Sequence, residues 1–169
     1  MTKLDSFRHN KDEFFKNDPQ SPLTHEQKHN FSGLNYFNEN PDLVFRVKIE
    51  EFPKKDMVNI QTSTGEIQTY HRYGKFAFEV NGKSVELILF TSNNEYFLPF
   101  IDDLSGKETY GAGRYLEPID LGNGRLLIDF NYAYNPYCAY NELWSCPITP
   151  AENRLTVPIK AGEKIFEIH

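Results

Sequence analysis

From residue 43 to residue 101, apolar side chains recur at every second position, and this period constrains the fold more than any other feature of the chain. Successive side chains of an extended strand point to opposite faces, so a period of two describes a sheet with one buried face. Leu43, Phe45, Val47 and Ile49 alternate with Val44, Arg46, Lys48 and Glu50. Val58, Ile60 and Thr62 continue the pattern into a turn at Ser63-Thr64-Gly65, and Ile67, Thr69 and His71 form the return strand. Gly74 breaks the run before Phe76, Phe78 and Val80. Asn81-Gly82 then gives the strongest hairpin signal in the chain, because both residues accept the positive φ of a type I′ turn. Strands at Val85 to Phe90 and Tyr96 to Ile101 follow, separated by a polar turn, and Pro99 marks the second as an edge or bulged strand. Connections this short join antiparallel neighbours, so the segment reads as a meander.

Two later strands are expected, at Leu126 to Tyr132 after the Gly122-Asn123-Gly124 turn and at Leu155 to Ile159. The fold class is therefore mainly β, an antiparallel meander forming a small barrel or curved sandwich. Fourteen Phe and ten Tyr strengthen that reading, since both favour strands and bury large areas. Ahead of the strands, Leu4, Phe7, Phe14 and Phe15 share one side of a helix over 4–16, which Pro19 closes. A second helical turn starts at Ser21-Pro22, with Thr24 and Gln27 as a capping box, and runs to Asn30. The expected organisation is a single domain, 1–169: a helical brace over 1–31, the meander over 43–101, and irregular loops and strands over 102–163.

The net charge is −6 with Lys and Arg scattered among acids, so no basic stripe exists to displace counterions from a nucleic acid. No apolar run reaches the length of a membrane span, and the N-terminus MTKLDSFRHNKDEFF lacks the apolar centre of a signal peptide. A cytoplasmic location and reduced cysteines are the expectation.

From Asp102 onward, alternation gives way to Gly, Asn, Tyr, Pro and Cys, with charges set among aromatics. Read as a strand, 126–132 puts Asp129 and Asn131 on one face, either lining a pocket or holding the next loop through its backbone. Arg114 either pairs with Asp102, Asp103 or Asp129 or clamps a ligand carboxylate or phosphate. The glycines of Gly111-Ala112-Gly113 are not a phosphate loop, for no Lys-Ser/Thr follows and Glu117-Pro118 stands where a helix is needed. Cys138 and Cys146 are packed thiols, a disulfide pair, or half of a metal site. The last is the weakest because no CxxC or nearby His completes it. His9, His25, His29, His71 and His169 all lie outside the block 102–163. No GxSxG elbow supports a nucleophilic triad, and only His71 is a remote partner for Cys138.

The strings SGKETYGAGRYLE, DFNYAYNPYCAY and CPITPAENRLTVPIKAGEK resemble a mainly bacterial family registered as domain of unknown function sixteen-eighty-four. By that resemblance Asp102, Gly106, Thr109, Tyr110, Gly113, Arg114 and Tyr115 match one motif, and Asp129 to Asn131, Ala133 to Pro136 and Cys138 to Tyr140 a second. Cys146, Pro147, Glu152, Asn153, Leu155, Ala161, Gly162 and Glu163 match a third. Tyr132 departs from a polar residue common in the family. The resemblance implies positions but no activity. Three functions compete. The first is a binding domain holding a small polar or aromatic ligand in a Tyr/Asn-rich pocket. The second is a hydrolase using Asp102 or Asp129 with Glu152 as acid and base, and the third a structural or interaction domain. The candidate ligand-binding residues are Asp102, Tyr110, Arg114, Asp129, Asn131, Asn135, Cys138, Tyr140, Cys146, Glu152 and Asn153, with no metal or cofactor required.

Overall fold

The structure, a computed structural model, describes residues 2–167; Met1, Ile168 and the C-terminal His169 lie outside it. Two antiparallel sheets face each other. One contains β2 (Glu50–Glu51), β4 (Ile67–Val80), β5 (Lys83–Ser92), β6 (Glu95–Phe100) and β7 (Arg114–Leu116) in that spatial order, with β3 (Met57–Gln61) also paired to β4. The other has the order β1 (Val44–Lys48), β9 (Arg125–Asp129), β8 (Ile119–Gly122). The sheets do not close into a barrel, so the curved sandwich holds of the two expected forms.

The core lies between the sheets. Val47, Leu126 and Ile128 come from the smaller sheet; Phe76, Phe78, Leu87, Leu89, Leu98 and Phe100 come from the larger. Phe130 sits at its centre, with no exposed surface, edge-on to Phe45 and Phe100 at 6.0 and 5.2 Å. A buried Phe of this kind contributes about 1.5–3 kcal/mol through its area alone. The period-two reading is realised in β4, where Phe76, Phe78 and Val80 are buried while Ala77 and Glu79 are exposed. Asn81 and Gly82 take φ of 52° and 79°, as the I′ hairpin requires.

Several expectations are corrected. Gly74 does not end a strand but sits at a bulge inside the continuous β4, where it pairs with β2. A Cβ there would stand 2.7 Å from Glu50 O, so the strands approach this closely only because the residue is glycine. The first strand divides at Ile49, leaving β1 in one sheet and β2 in the other. The second helix begins at His25 rather than at Ser21-Pro22, although Thr24 and Gln27 do form the capping box. The strand expected over 126–132 stops at Asp129 and becomes a 3-10 turn, Phe130–Tyr132. Leu155, Val157 and Ile159 are buried in alternation, yet no strand forms. That stretch is held by side chains and single backbone bonds instead of a ladder. Ile159 N–H donates to Asp102 Oδ2 at 2.8 Å, and Leu155 N–H donates to Ile101 O at 2.7 Å.

Helix α1 (Lys3–Asn17) is capped by Thr2 and Asp5 acting reciprocally. Its Phe15 is buried beside Leu23, Phe31, Leu34 and Tyr140 in a second cluster, so the helix docks on the C-terminal loops. Helix α2 (His25–Asn30) buries no residue. No helix among the described residues is long and apolar enough to cross a membrane.

Candidate functional site

Most of the polar residues singled out from the sequence have their hydrogen-bonding groups taken up by the chain itself. Arg114, 1% exposed, donates from Nη1 to Ala161 O and Glu163 O and from Nη2 to Ile159 O. Its guanidinium lies 3.8 Å from Asp102 and above the Phe100 ring, and burial pushes its pKa down to about 10. Arg114 therefore gathers three carbonyls of the C-terminal segment and does not pair with Asp129. Asp102 accepts from Thr109 Oγ1 at 2.7 Å and from Ile159 N–H.

Asn153 replaces a missing rung of sheet. Its Oδ1 accepts from Ile88 N–H, and its Nδ2 donates to Ile88 O and Pro99 O, all at 2.8 Å. The β5–β6 ladder pairs only Phe90 to Ser92 with Glu95 to Phe97, and the side-chain amide spans the gap beyond it. Asn131 does the same work for the loop before β1. It accepts from Asn40 N–H at 2.8 Å and donates to Asn40 O at 3.0 Å, while Asp129 caps the turn by accepting from Asn131 N–H. Asp129 and Asn131 thus meet through a turn, not across a strand face.

Glu163, which only the family resemblance picked out, is the most heavily shared carboxylate. It is 1% exposed and accepts from Lys11 Nζ at 2.5 Å, from Asn135 N–H at 3.3 Å and from the Tyr140 hydroxyl. Burial, then the Glu163 charge, raises the Tyr140 pKa well above its usual value. Asn135 Nδ2 donates to Lys164 O at 3.0 Å. Glu152 lies elsewhere, in an exposed pair with Arg72 at 2.9 Å.

Cys138 and Cys146 do come together. Cys138 N–H donates to Cys146 Sγ at 3.2 Å, and the Tyr110 hydroxyl lies 3.8 Å from Cys138 Sγ. Both cysteines are free thiols. The hydrogen bond from Cys146, assisted by Tyr110 and Ser63, lowers the Cys138 pKa to about 6 against the opposing effect of burial. The same contact and burial push the Cys146 thiol up. Among the described residues no three His, Cys, Asp or Glu side chains converge as metal ligands.

A cleft of about 1010 Å³ opens beside this framework, between α1 and the outer face of β7, β8 and β9. One face of α1 supplies Lys3, Phe7, Lys11, Phe14 and Phe15, residues that recur at helical spacing. Opposite them stand Tyr115, Glu117, Ile119, Leu127 and Asp129, and the loop after β9 adds Tyr132, Tyr134, Tyr137, Trp144 and Cys146. Tyr134 is set by paired backbone bonds with Tyr115 at 2.8 and 3.0 Å, and its hydroxyl donates to Glu117 Oε1 at 2.6 Å. Burial and the neighbouring Glu117 raise its pKa far above the ordinary range, so it remains a neutral donor. Phe7, Ile119 and Trp144 keep 39%, 59% and 38% of their surfaces exposed, so the cleft has apolar walls open to solvent. Of the residues expected to bind a ligand, Asp129 and Cys146 line it; the others do not. Lys11 is not among the residues expected from the sequence, although it falls in line with Leu4, Phe7 and Phe15, on a stripe where a lysine needs a buried partner.

None of the curated proteins matches the chain. The solution NMR structure of an uncharacterized protein of Haloarcula marismortui is similar to it, at 35% identity and a TM-score of 0.72, over 96% of this chain and 92% of that one. The family model described as "Protein of unknown function (DUF1684)" matches residues 29–164. The strings resembling that family include the ones that carry Arg114, Asn131, Asn153 and Glu163, and the chain belongs to the DUF1684 family.

Proposed function

We propose that the chain is a binding domain for a small molecule with a flat aromatic or apolar body and a hydrogen-bond donor, taken up in the cleft between α1 and β7–β9. One observation carries this reading: a cleft of about 1010 Å³, large enough for a small ligand, leaves Phe7, Ile119 and Trp144 substantially exposed on its walls. The rings of Tyr132, Tyr134 and Trp144 offer faces and edges for stacking. Lys11 is matched by Glu163, and against Lys3 the lining sets two acids, Glu117 and Asp129; Tyr134 and Asn131 take one oxygen of each, and the second oxygens favour a ligand that donates.

Asp102, Arg114, Asn131 and Asn153 hold the 159–163 segment, the loop before β1 and the β5–β6 strands, none of which lines the cleft, so they brace the fold rather than meet the ligand. A hydrolase finds less support, since Asp102, Asp129 and Glu152 are each held by different partners. The same reading treats 1–169 as one domain, supported by the Lys11–Glu163 and Arg114–Ile159 links between its segments. A cytoplasmic location goes with it, on the grounds of the free thiols.

Trp144 is the chain's one tryptophan and lies on the wall, so its fluorescence reports on the cleft. Titration with 2-naphthylmethylamine is expected to give a saturable change in Trp144 emission, and 2-naphthoate a weaker one. Ile119→Arg, at an exposed position, should abolish the amine response while leaving the far-ultraviolet circular dichroism unchanged. An amine response that does not saturate, or one that Ile119→Arg leaves intact, overturns the assignment.

A further inference from the structure

We propose that Cys138 and Cys146 form a thiol–disulfide exchange site whose substrate is a low-molecular-weight disulfide of the glutathione type. The two residues stand eight positions apart and meet because their loop is folded back on itself. Cys146 is fixed. Its N–H donates to Ser63 Oγ at 3.1 Å, its carbonyl accepts from Ser63 N–H at 2.9 Å, and only 8% of its surface is exposed. Cys138 is partly exposed and sits on the short turn Tyr137–Ala139, which Ala139 and Tyr140 close with single bonds of 2.9 and 3.0 Å. The Tyr110 hydroxyl is within reach of its sulfur. The cysteine on the more exposed residue, Cys138, therefore attacks and the anchored one resolves.

The chemistry balances without a metal or cofactor. Cys138 ionises, and its thiolate attacks one sulfur of the small disulfide. That S–S bond breaks, the first small thiol leaves carrying the released proton, and Cys138 is left in a mixed disulfide. Cys146 then gives up its proton and attacks Cys138 Sγ. The mixed disulfide breaks, the second small thiol leaves with that proton, and the Cys138–Cys146 bond closes. The protein dithiol has lost two protons and two electrons, and the small disulfide has gained them. The lowered pKa of Cys138 keeps it a thiolate at neutral pH. This site does not rest on the cleft's taking a ligand, although Cys146 lines the cleft wall and oxidation there would alter it.

The test treats the native full chain with oxidised glutathione at neutral pH and follows its intact mass. The expected product is a monomer lighter by two hydrogens, with the bridge mapped to Cys138 and Cys146. Cys146→Ser, which keeps an O–H donor beside Cys138, should stop at one glutathione on Cys138. Cys138→Ser should react at least about tenfold more slowly, because the remaining thiol is buried and protonated. The proposal fails if native wild type forms no internal bridge while the urea-unfolded chain does. It fails equally if covalent dimers form instead, or if both variants take up glutathione at one rate.

Discussion

Replacing Asn153 with alanine tests most directly how the C-terminal half is held. The substitution removes the bonds to Ile88 N–H, Ile88 O and Pro99 O, all at 2.8 Å, at a side chain with no exposed surface. Three such bonds are together worth about 3 kcal/mol net, and each backbone group left dry adds a penalty of about 1–3 kcal/mol unless water enters. Partial hydration of the void leaves an expected loss of about 3–5 kcal/mol. For a chain of this size about 2–4 °C of melting temperature goes with each kcal/mol, so the midpoint should fall by roughly 6–20 °C. Urea unfolding gives the free energy, and hydrogen exchange localises it, because the Ile88 amide should lose its protection first. Asn153→Asp serves as the control. It keeps the shape and the acceptor but turns an oxygen toward two carbonyls, and it should be at least as damaging as alanine. A loss below about 1 kcal/mol for the alanine variant, or an aspartate variant as stable as wild type, would refute the view that this amide substitutes for sheet.

Two further outcomes follow from ionisable groups. Glu163→Gln should destabilise by about 2–3 kcal/mol, less than a fully buried broken pair because Lys11 keeps 15% exposure, and adding Lys11→Met should recover part of that loss in a double-mutant cycle; purely additive effects would show that the pair is not coupled. The rate of Cys138 alkylation by iodoacetamide should rise through a midpoint near pH 6, the thiolate being present above that value and lost below it; a midpoint above about pH 8 in the native protein, near that of an ordinary thiol, would remove the influence of Cys146 and Tyr110.

The sheet was legible because its information is periodic. Phe76, Phe78 and Val80 announce one buried face, and Asn81-Gly82 announces the reversal. Arg114 and Asn131 stood out from their neighbours in sequence, Asn131 as lining a pocket or holding a loop, and the family resemblance added Asn153, but which distant segments they hold could not be read from spacing. Each satisfies backbone groups of a segment distant in the chain, Asn131 reaching Asn40 and Asn153 reaching Ile88. Leu155, Val157 and Ile159 misled for the converse reason. They alternate and are buried, but Asp102 and Arg114 stand where a neighbouring strand would supply donors and acceptors. The cleft escaped notice because its lining comes from α1, β7 to β9 and the following loop together, and only Lys11 in the apolar stripe hinted at it.

The bond between Lys11 and Glu163 joins residues 152 positions apart. During synthesis α1 leaves the ribosome long before its partner carboxylate exists. At roughly 5–20 residues per second, the helix waits on the order of ten to thirty seconds with its lysine unmatched and Phe15 without Tyr140. The β3–β6 hairpins, whose partners are near neighbours in the chain, have time to pair in that interval. Helix α1 therefore cannot complete its docking until residue 163 has emerged, and a nascent chain stalled before that point would carry the β3–β6 hairpins beside a helical segment still open to proteases and chaperones.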